Sequence, residues 1–262
     1  MIKDIVRSIV DFSFYKEVPR RDVWATTAYI VVLGAFFSAA VTAAVYRNVG
    51  PRIREAVAWA AVAMPPMTVA NGKLSSTVPG PTEVRHPDMK QVGLMIDIGR
   101  TAPVSAAEMS QKKLIAYLTA DQAYIMTNDR LEAYDLAKTK PKGETVVIDA
   151  AFYENMGATL LKVLYPIAFF VSWMTFIVWK HGSAAVYTLV AMLINAVAEG
   201  GHEVPVLYRL AVYAQTPVIL LQALALFLPR PIPLFPVLAV VVVSAYLWQA
   251  IRFAEPEGPP PA

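Results

Sequence analysis

Apolar residues along this chain gather into long runs separated by short charged or proline-rich breaks, and the run lengths set the first expectation. Residues 24–45 carry no charge and, at about 1.5 Å per residue, are long enough to cross a hydrocarbon core of about 30 Å. We read them as a retained signal anchor. Further runs cover 160–179, stopped by Lys180-His181-Gly182, and 183–198, stopped by Glu199-Gly200-Gly201-His202-Glu203. Another covers 206–228, and after Pro229, Pro231, Pro233 and Pro236 a last one reaches residue 253. The pattern predicts about five transmembrane helices, the third short for a crossing at about 16 residues. Ahead of the first span, Ile2, Ile5, Val6, Ile9 and Val10 recur at helical spacing opposite Lys3, Asp4, Arg7 and Asp11. That pattern describes an amphipathic helix, lying on a membrane surface or packed on protein. The tail at 254–262 is proline-rich and expected to be disordered.

Between the first two spans, residues 46–159 are enough for one small domain. Gly50-Pro51 opens a helix whose inner face is Ile53, Val57, Ala60, Ala61 and Met64, and Pro65-Pro66 ends it. The period then changes from helical to alternating. Asn71-Gly72 between 67–70 and 73–76 predicts a hairpin with a type I′ turn, in which both central residues take positive φ. Strands are expected at 92–98, 114–118, 123–127, 131–136 and 145–148, with Asn128-Asp129 as a tight turn and 78–88 as a loop. Ser105 and Glu108 have the spacing of a capping box. The expected fold class is therefore an α-helical membrane protein with a small α+β domain, mainly antiparallel, inserted between helices 1 and 2.

Composition agrees with the bilayer reading: 56% of residues are hydrophobic and 16% charged, against about 25% charged in ordinary soluble domains. Lys3, Arg7, Lys16, Arg20 and Arg21 precede the first span, while the short loop at 199–205 carries two glutamates and no Lys or Arg. The positive-inside rule then puts residues 1–23 in the cytoplasm and the inserted domain outside, and five spans put the C-terminus outside. A net charge of +3 gives no reason to expect nucleic acid as a partner. The absence of cysteine excludes disulfides, thiolate metal sites and Cys nucleophiles. The three histidines His86, His181 and His202 are too scattered to suggest a metal site, and no cofactor is expected.

No catalytic constellation stands out. Gly200-Gly201 and Gly93…Gly99 lack the context of a phosphate loop, and Ser105, His86 and Asp97 come without a nucleophile elbow. The candidate binding residues are Asp97, Arg100, Tyr117 and Tyr124. Asp97 interrupts an apolar strand, where a carboxylate must be paired or serve recognition, and Arg100, Lys112, Lys113 or Arg130 are its candidate partners. Tyr117 and Tyr124, like Tyr134 and Tyr153, either cover a sheet or offer a recognition surface. Within the membrane the notable polar positions are Asn195, Glu199, Arg209, Tyr213, Gln215 and Pro217. Arg209 and Glu199 pair or snorkel, and Pro217 frees a carbonyl that Thr216 or a neighbouring helix must satisfy. Small residues Gly34, Ala35, Ser38, Ala39 and Thr42 predict close approach by another helix, from this chain or another.

Together, Phe14-Tyr15, Met64-Pro65 before Asn71-Gly72-Lys73-Leu74, Met95-Ile96-Asp97-Ile98-Gly99, and Tyr208-Arg209 with Tyr213-Ala214-Gln215-Thr216-Pro217 resemble a bacterial membrane family. It is the domain of unknown function eleven-eighty-nine, some of whose members are labelled maltodextrin-utilisation protein. The family's strand more often reads Ile-Asp-Thr-x-Gly, and Ile98 stands here in place of the Thr. The layout is also similar to Yip-type membrane proteins. The resemblance implies an architecture and no reaction. The functional expectation is a non-enzymatic accessory or scaffold subunit of the bacterial inner membrane, with the lipid bilayer and other membrane subunits as partners. The alternative is a transport-associated component, sugar-related, with a ligand-sensing external domain.

Overall fold

The computed structural model describes residues 1–78, 80–88, 93–128, 130–138 and 145–254, which form two units. One is Gly50–Lys162; the other joins Met1–Val49 to the chain from Val163 onward.

In the unit Gly50–Lys162, helix α3 (Gly50–Ala63) ends before Pro65-Pro66, and the chain turns to strands β1 (Met67–Ala70) and β2 (Lys73–Ser76). They pair antiparallel with Ala70 opposite Lys73. Asn71 and Gly72 sit at φ +51° and +75°, the conformation the Asn-Gly pair predicts. Strand β8 (Thr145–Ile148) covers the other edge of β1, giving a three-stranded sheet β2-β1-β8. The second sheet takes β3 (Thr82–Arg85), β4 (Gly93–Ile96), β5 (Ala116–Leu118), β6 (Gln122–Thr127) and β7 (Arg130–Asp135) in chain order. Its β4–β5 pair is parallel, which requires a crossover, and the short helix α4 (Ala106–Gln111) lies in that connection. Met109, Leu114, Tyr117 and Tyr124 fill one core of this unit, and Ile96 with Met67 and Leu74 fills another.

Two expectations for this unit change. The segment 78–88 is not all loop, because Thr82–Arg85 forms β3. Its prolines and glycine flank those four residues rather than interrupt them, so every backbone group there is free to join the ladder. Strand β4 stops at Ile96, which leaves Asp97 in the following turn and not on the strand. Val92, Asp129 and the tail from 255 lie outside the described residues.

The other unit is helical: α1 (Ile2–Val10), two 3₁₀ turns at Phe12–Lys16 and Val18–Arg20, α2 (Val23–Asn48), the part of α5 (Ala150–Val197) from Val163 on, α6 (Val204–Ala214), α7 (Thr216–Ala225) and α8 (Phe235–Phe253). Asp22 caps α2 by accepting from the Ala25 amide at 2.6 Å. The core gathers Phe14, Tyr15, Tyr29, Leu33, Leu207, Leu210, Tyr213, Val243 and Leu247. Helix α1 presents Ile5 and Ser8 to this core and leaves Ile2, Val6 and Val10 exposed, so its apolar face divides between protein and surroundings.

The expected turn at Lys180-His181-Gly182 does not exist. Residues Ala150–Val197 form one helix, α5, 48 residues and about 72 Å long. Neighbouring helices receive its polar groups: His181 Nδ1 meets the Tyr208 hydroxyl at 2.6 Å, Ser183 donates to Gln215 Oε1 at 2.7 Å, and Lys180 donates to Gln222 Oε1 at 3.4 Å. A single interior glycine costs a helix only about 1 kcal/mol, too little to break it against that support. Among the described residues four helical stretches are long and apolar enough to cross a membrane: Val23–Ala63, Ala150–Val197, Val204–Ala225 and Phe235–Phe253. The expected second and third runs, 160–179 and 183–198, lie on one of these stretches instead of on two separate helices. Tyr246 donates to the Ile9 carbonyl at 2.9 Å, Phe12 stacks on Phe253 at 6.1 Å, and His202 Nε2 lies 3.2 Å from the Ile251 carbonyl. The N-terminal segment, the 199–203 turn and the end of α8 thus share one end of this unit.

Of the small residues of α2, Gly34 is matched within this chain. A Cβ on Gly34 would lie 2.8 Å from Phe176 and 3.1 Å from Trp173, both on α5. The Trp173 indole donates to the Val31 carbonyl at 2.9 Å, and Phe37 stacks on Phe176 at 5.1 Å.

Candidate functional site

Asp97, Arg100 and Tyr117 do meet. The Tyr117 hydroxyl donates to Asp97 Oδ2 at 3.0 Å, and Arg100 donates to that hydroxyl at 3.2 Å with its guanidinium 5.2 Å above the Tyr117 ring. The Arg100 amide donates to the Asp97 carbonyl at 3.3 Å, but its guanidinium is joined to the Asp97 carboxylate through Tyr117, and its two terminal nitrogens are held by Glu108, each at 2.8 Å. Lys112 adds a contact to Glu108 at 3.0 Å. Sequence reasoning had Glu108 as the second half of a capping box. Ser105 does accept from the Glu108 amide at 3.2 Å, but the Glu108 carboxylate turns to Arg100 instead. The fork of Arg100, then Lys112, pulls the Glu108 carboxyl down to about 2. Tyr124 stands opposite Tyr117 across β5–β6 and donates to its own strand's Gln122. The His86 and Trp59 rings meet at 4.8 Å, tilted by 54°. The carboxylates of this cluster are thus engaged by donors of the same unit, which joins the turn after β4 to α4 and β5.

The polar residues expected within the membrane have these contacts. Asn195 exchanges hydrogen bonds with the His202 backbone at 3.2 and 3.3 Å, closing the turn after α5. Glu199 is exposed at φ +53° in that turn. Arg209 donates to the Arg21 carbonyl, and Arg21 donates to Tyr213 at 3.2 Å and to Asp4 at 3.0 Å. Pro217, in the first turn of α7, leaves the Tyr213 carbonyl without its helical donor, and Thr216 Oγ1 supplies one at 2.8 Å. Gln215 lies at the break between α6 and α7 and donates to the Ala211 carbonyl at 3.1 Å.

A site that sequence reasoning missed lies on the side of this helical unit. A recess of about 740 Å³ opens between α2, α5, α7 and the proline-rich turn before α8. Phe37, Val41, Ile167, Val171 and Leu226 are among the apolar side chains that line it. Lys180 and Gln222 also line it, and Lys180 is 7% exposed. The Lys180 ammonium lies 5.7 Å from the Phe176 ring centroid, over its face. Lys180 reads in sequence as the charge that stops a span. The available signal was that helical periodicity runs on past it to residue 198 with no proline. Among the described residues no group of three or more His, Cys, Asp or Glu is placed to hold a metal.

A family model described as "Protein of unknown function (DUF1189)" matches residues 2–251. No curated protein matches the chain. No solved structure matches it either.

Proposed function

The chain belongs to the DUF1189 family, and on that premise we propose that it is a non-enzymatic integral protein of the bacterial inner membrane, an accessory subunit that holds a partner membrane protein. The observation that carries this reading is the outward face of α5. From 163 to 197 the helix is about 52 Å long, against about 30 Å of hydrocarbon. Ile167, Met174, Val178, Leu189, Leu193 and Val197 recur along it at intervals of 4, 7 and 11 residues, each more than half exposed. Tilting this length into the hydrocarbon would take about 55°, beyond the range of 0–40° that membrane helices adopt. An apolar stripe that outruns the lipid needs protein over the remainder.

The N-terminal end faces the cytoplasm in this reading. Lys3, Arg7, Lys16, Arg20 and Arg21 lie at the end of the unit that also holds Arg252, while the opposite turn, at 226–234, carries Arg230 alone. The test is a photo-crosslinking residue at Leu189 or Leu193, activated in intact cells. A protein adduct of discrete mass is expected. Lipid adducts alone, with a monomeric mass after gentle extraction, would overturn the accessory role.

A further inference from the structure

We propose that the recess beside Lys180 holds an acyl chain of an anionic phospholipid, with the lipid phosphate on the Lys180 ammonium. The inference does not rest on the accessory role, since it concerns a different class of ligand; Ile167 alone is named in both the outward stripe of α5 and the recess lining. Three observations meet here. The volume, about 740 Å³, is that of a ligand site, and such sites combine apolar walls with a few placed polar groups. The walls are aromatic and aliphatic, and the rim residues Val171 and Trp179 are 59% and 69% exposed on the outer surface of the helices. A ligand therefore enters sideways, from the bilayer.

The third observation is the charge. Lys180 is more than nine-tenths buried, so its ammonium has not snorkelled to water. Its contacts among the described residues are the neutral Gln222 oxygen at 3.4 Å and the Phe176 face, with no carboxylate. An ammonium has three donors, and Gln222 takes one. A buried cation in a membrane segment is costly until a counter-charge arrives, and such groups mark ligand sites. A phosphodiester supplies a single negative charge and several acceptor oxygens while its chain fills the recess. A zwitterionic lipid would bring its own ammonium up to Lys180, where no acid in the recess lining would receive it. That difference selects the anionic lipid.

The experiment is native mass spectrometry of the full-length protein in detergent, titrated with phosphatidylglycerol, with phosphatidylcholine of identical chains, and with oleate. Phosphatidylglycerol is expected to bind at least tenfold more tightly than phosphatidylcholine. Lys180→Met should erase that preference and Lys180→Arg should keep it. Ala225→Phe, which fills the recess without touching the charge, should weaken both phospholipids. Circular dichroism of each variant establishes that its helices remain. Equal binding of the two phospholipids, or an undiminished preference in a folded Lys180→Met, would overturn the proposal. Oleate binding more tightly than phosphatidylglycerol would overturn it too, giving the site to a free carboxylate. A partner's presence or absence moves none of these readouts.

Discussion

At the scale of single residues, the turn at Asn71-Gly72 carries the sharpest requirement. Gly72 combines φ +75° with a position where a Cβ would lie 2.5 Å from the Ala137 backbone. The left-handed conformation alone costs an L-residue about 1–2 kcal/mol, and the clash adds to it. Gly72→Ala is therefore expected to lower the melting temperature of the unit Gly50–Lys162 clearly. Trp59 is its single tryptophan, so fluorescence in a chain whose other tryptophans are Phe reads that unit alone. The Glu108–Arg100 fork makes a second prediction. Glu108 titrates at about 2 in the fold against an ordinary 4.5, so its stabilising contribution is complete above about pH 4.5. It is lost as pH falls from there toward 2. The Trp59-monitored melting temperature should fall over that window, and Glu108→Gln should flatten the fall while lowering stability at neutral pH. The hairpin was legible in sequence because Asn-Gly acts locally. The choice of Arg100's partner was not, since Asp97, three residues away, loses to Glu108, eight away, once β4 ends at Ile96.

At the scale of elements, the α6–α7 break is where sequence chemistry reads through most directly. Proline removes a donor, the preceding threonine returns one, and the carbonyl concerned is Tyr213's. Thr216 also meets the Tyr29 hydroxyl at 2.6 Å, linking the break to α2. Thr216→Val should cost about 1–3 kcal/mol. Pro217→Ala restores the backbone donor and should recover part of that loss. Thermal unfolding of both single variants and the double variant measures the coupling, and strict additivity would remove Thr216 from this role. Gly34→Leu is expected to cost about 1–3 kcal/mol by overpacking against Phe176 and Trp173. Gly34→Ala should cost less, in the same assay. The α5 helix shows the limit of linear reading. Lys-His-Gly looks like a terminus, yet Gln222, Tyr208 and Gln215 on neighbouring helices satisfy its polar atoms and keep the helix running.

At the scale of the whole molecule, a single crossing by the continuous α5 would make the number of crossings even. With the end of α8 beside α1, both ends of the described helical unit lie on one side. A cysteine-free chain makes this simple to test. Single cysteines at Lys3 and Phe253 should react alike with an impermeant maleimide in intact cells, and a cysteine at Arg230 should react oppositely. Opposite behaviour of the first two would restore an odd number of crossings. The split apolar face of α1 also belongs here. Its Ile5 edge serves the core, so removing Ile2, Val6 and Val10 to Ser should leave melting unchanged while weakening contact with lipid, read as reduced quenching of Trp24 by brominated lipid.

Run length and period determined by themselves that the chain holds membrane-length helices around a smaller α+β insertion. Burying apolar runs and turning at Asn-Gly are consequences of local composition. Tertiary structure alone decided that residues 150–197 run as one helix, which acid holds Arg100, and where Lys180 lies. Each of those depends on what a distant segment offers to a polar atom, and a buried charge or an interrupted helix is settled by its partners in space, not by its neighbours in the chain.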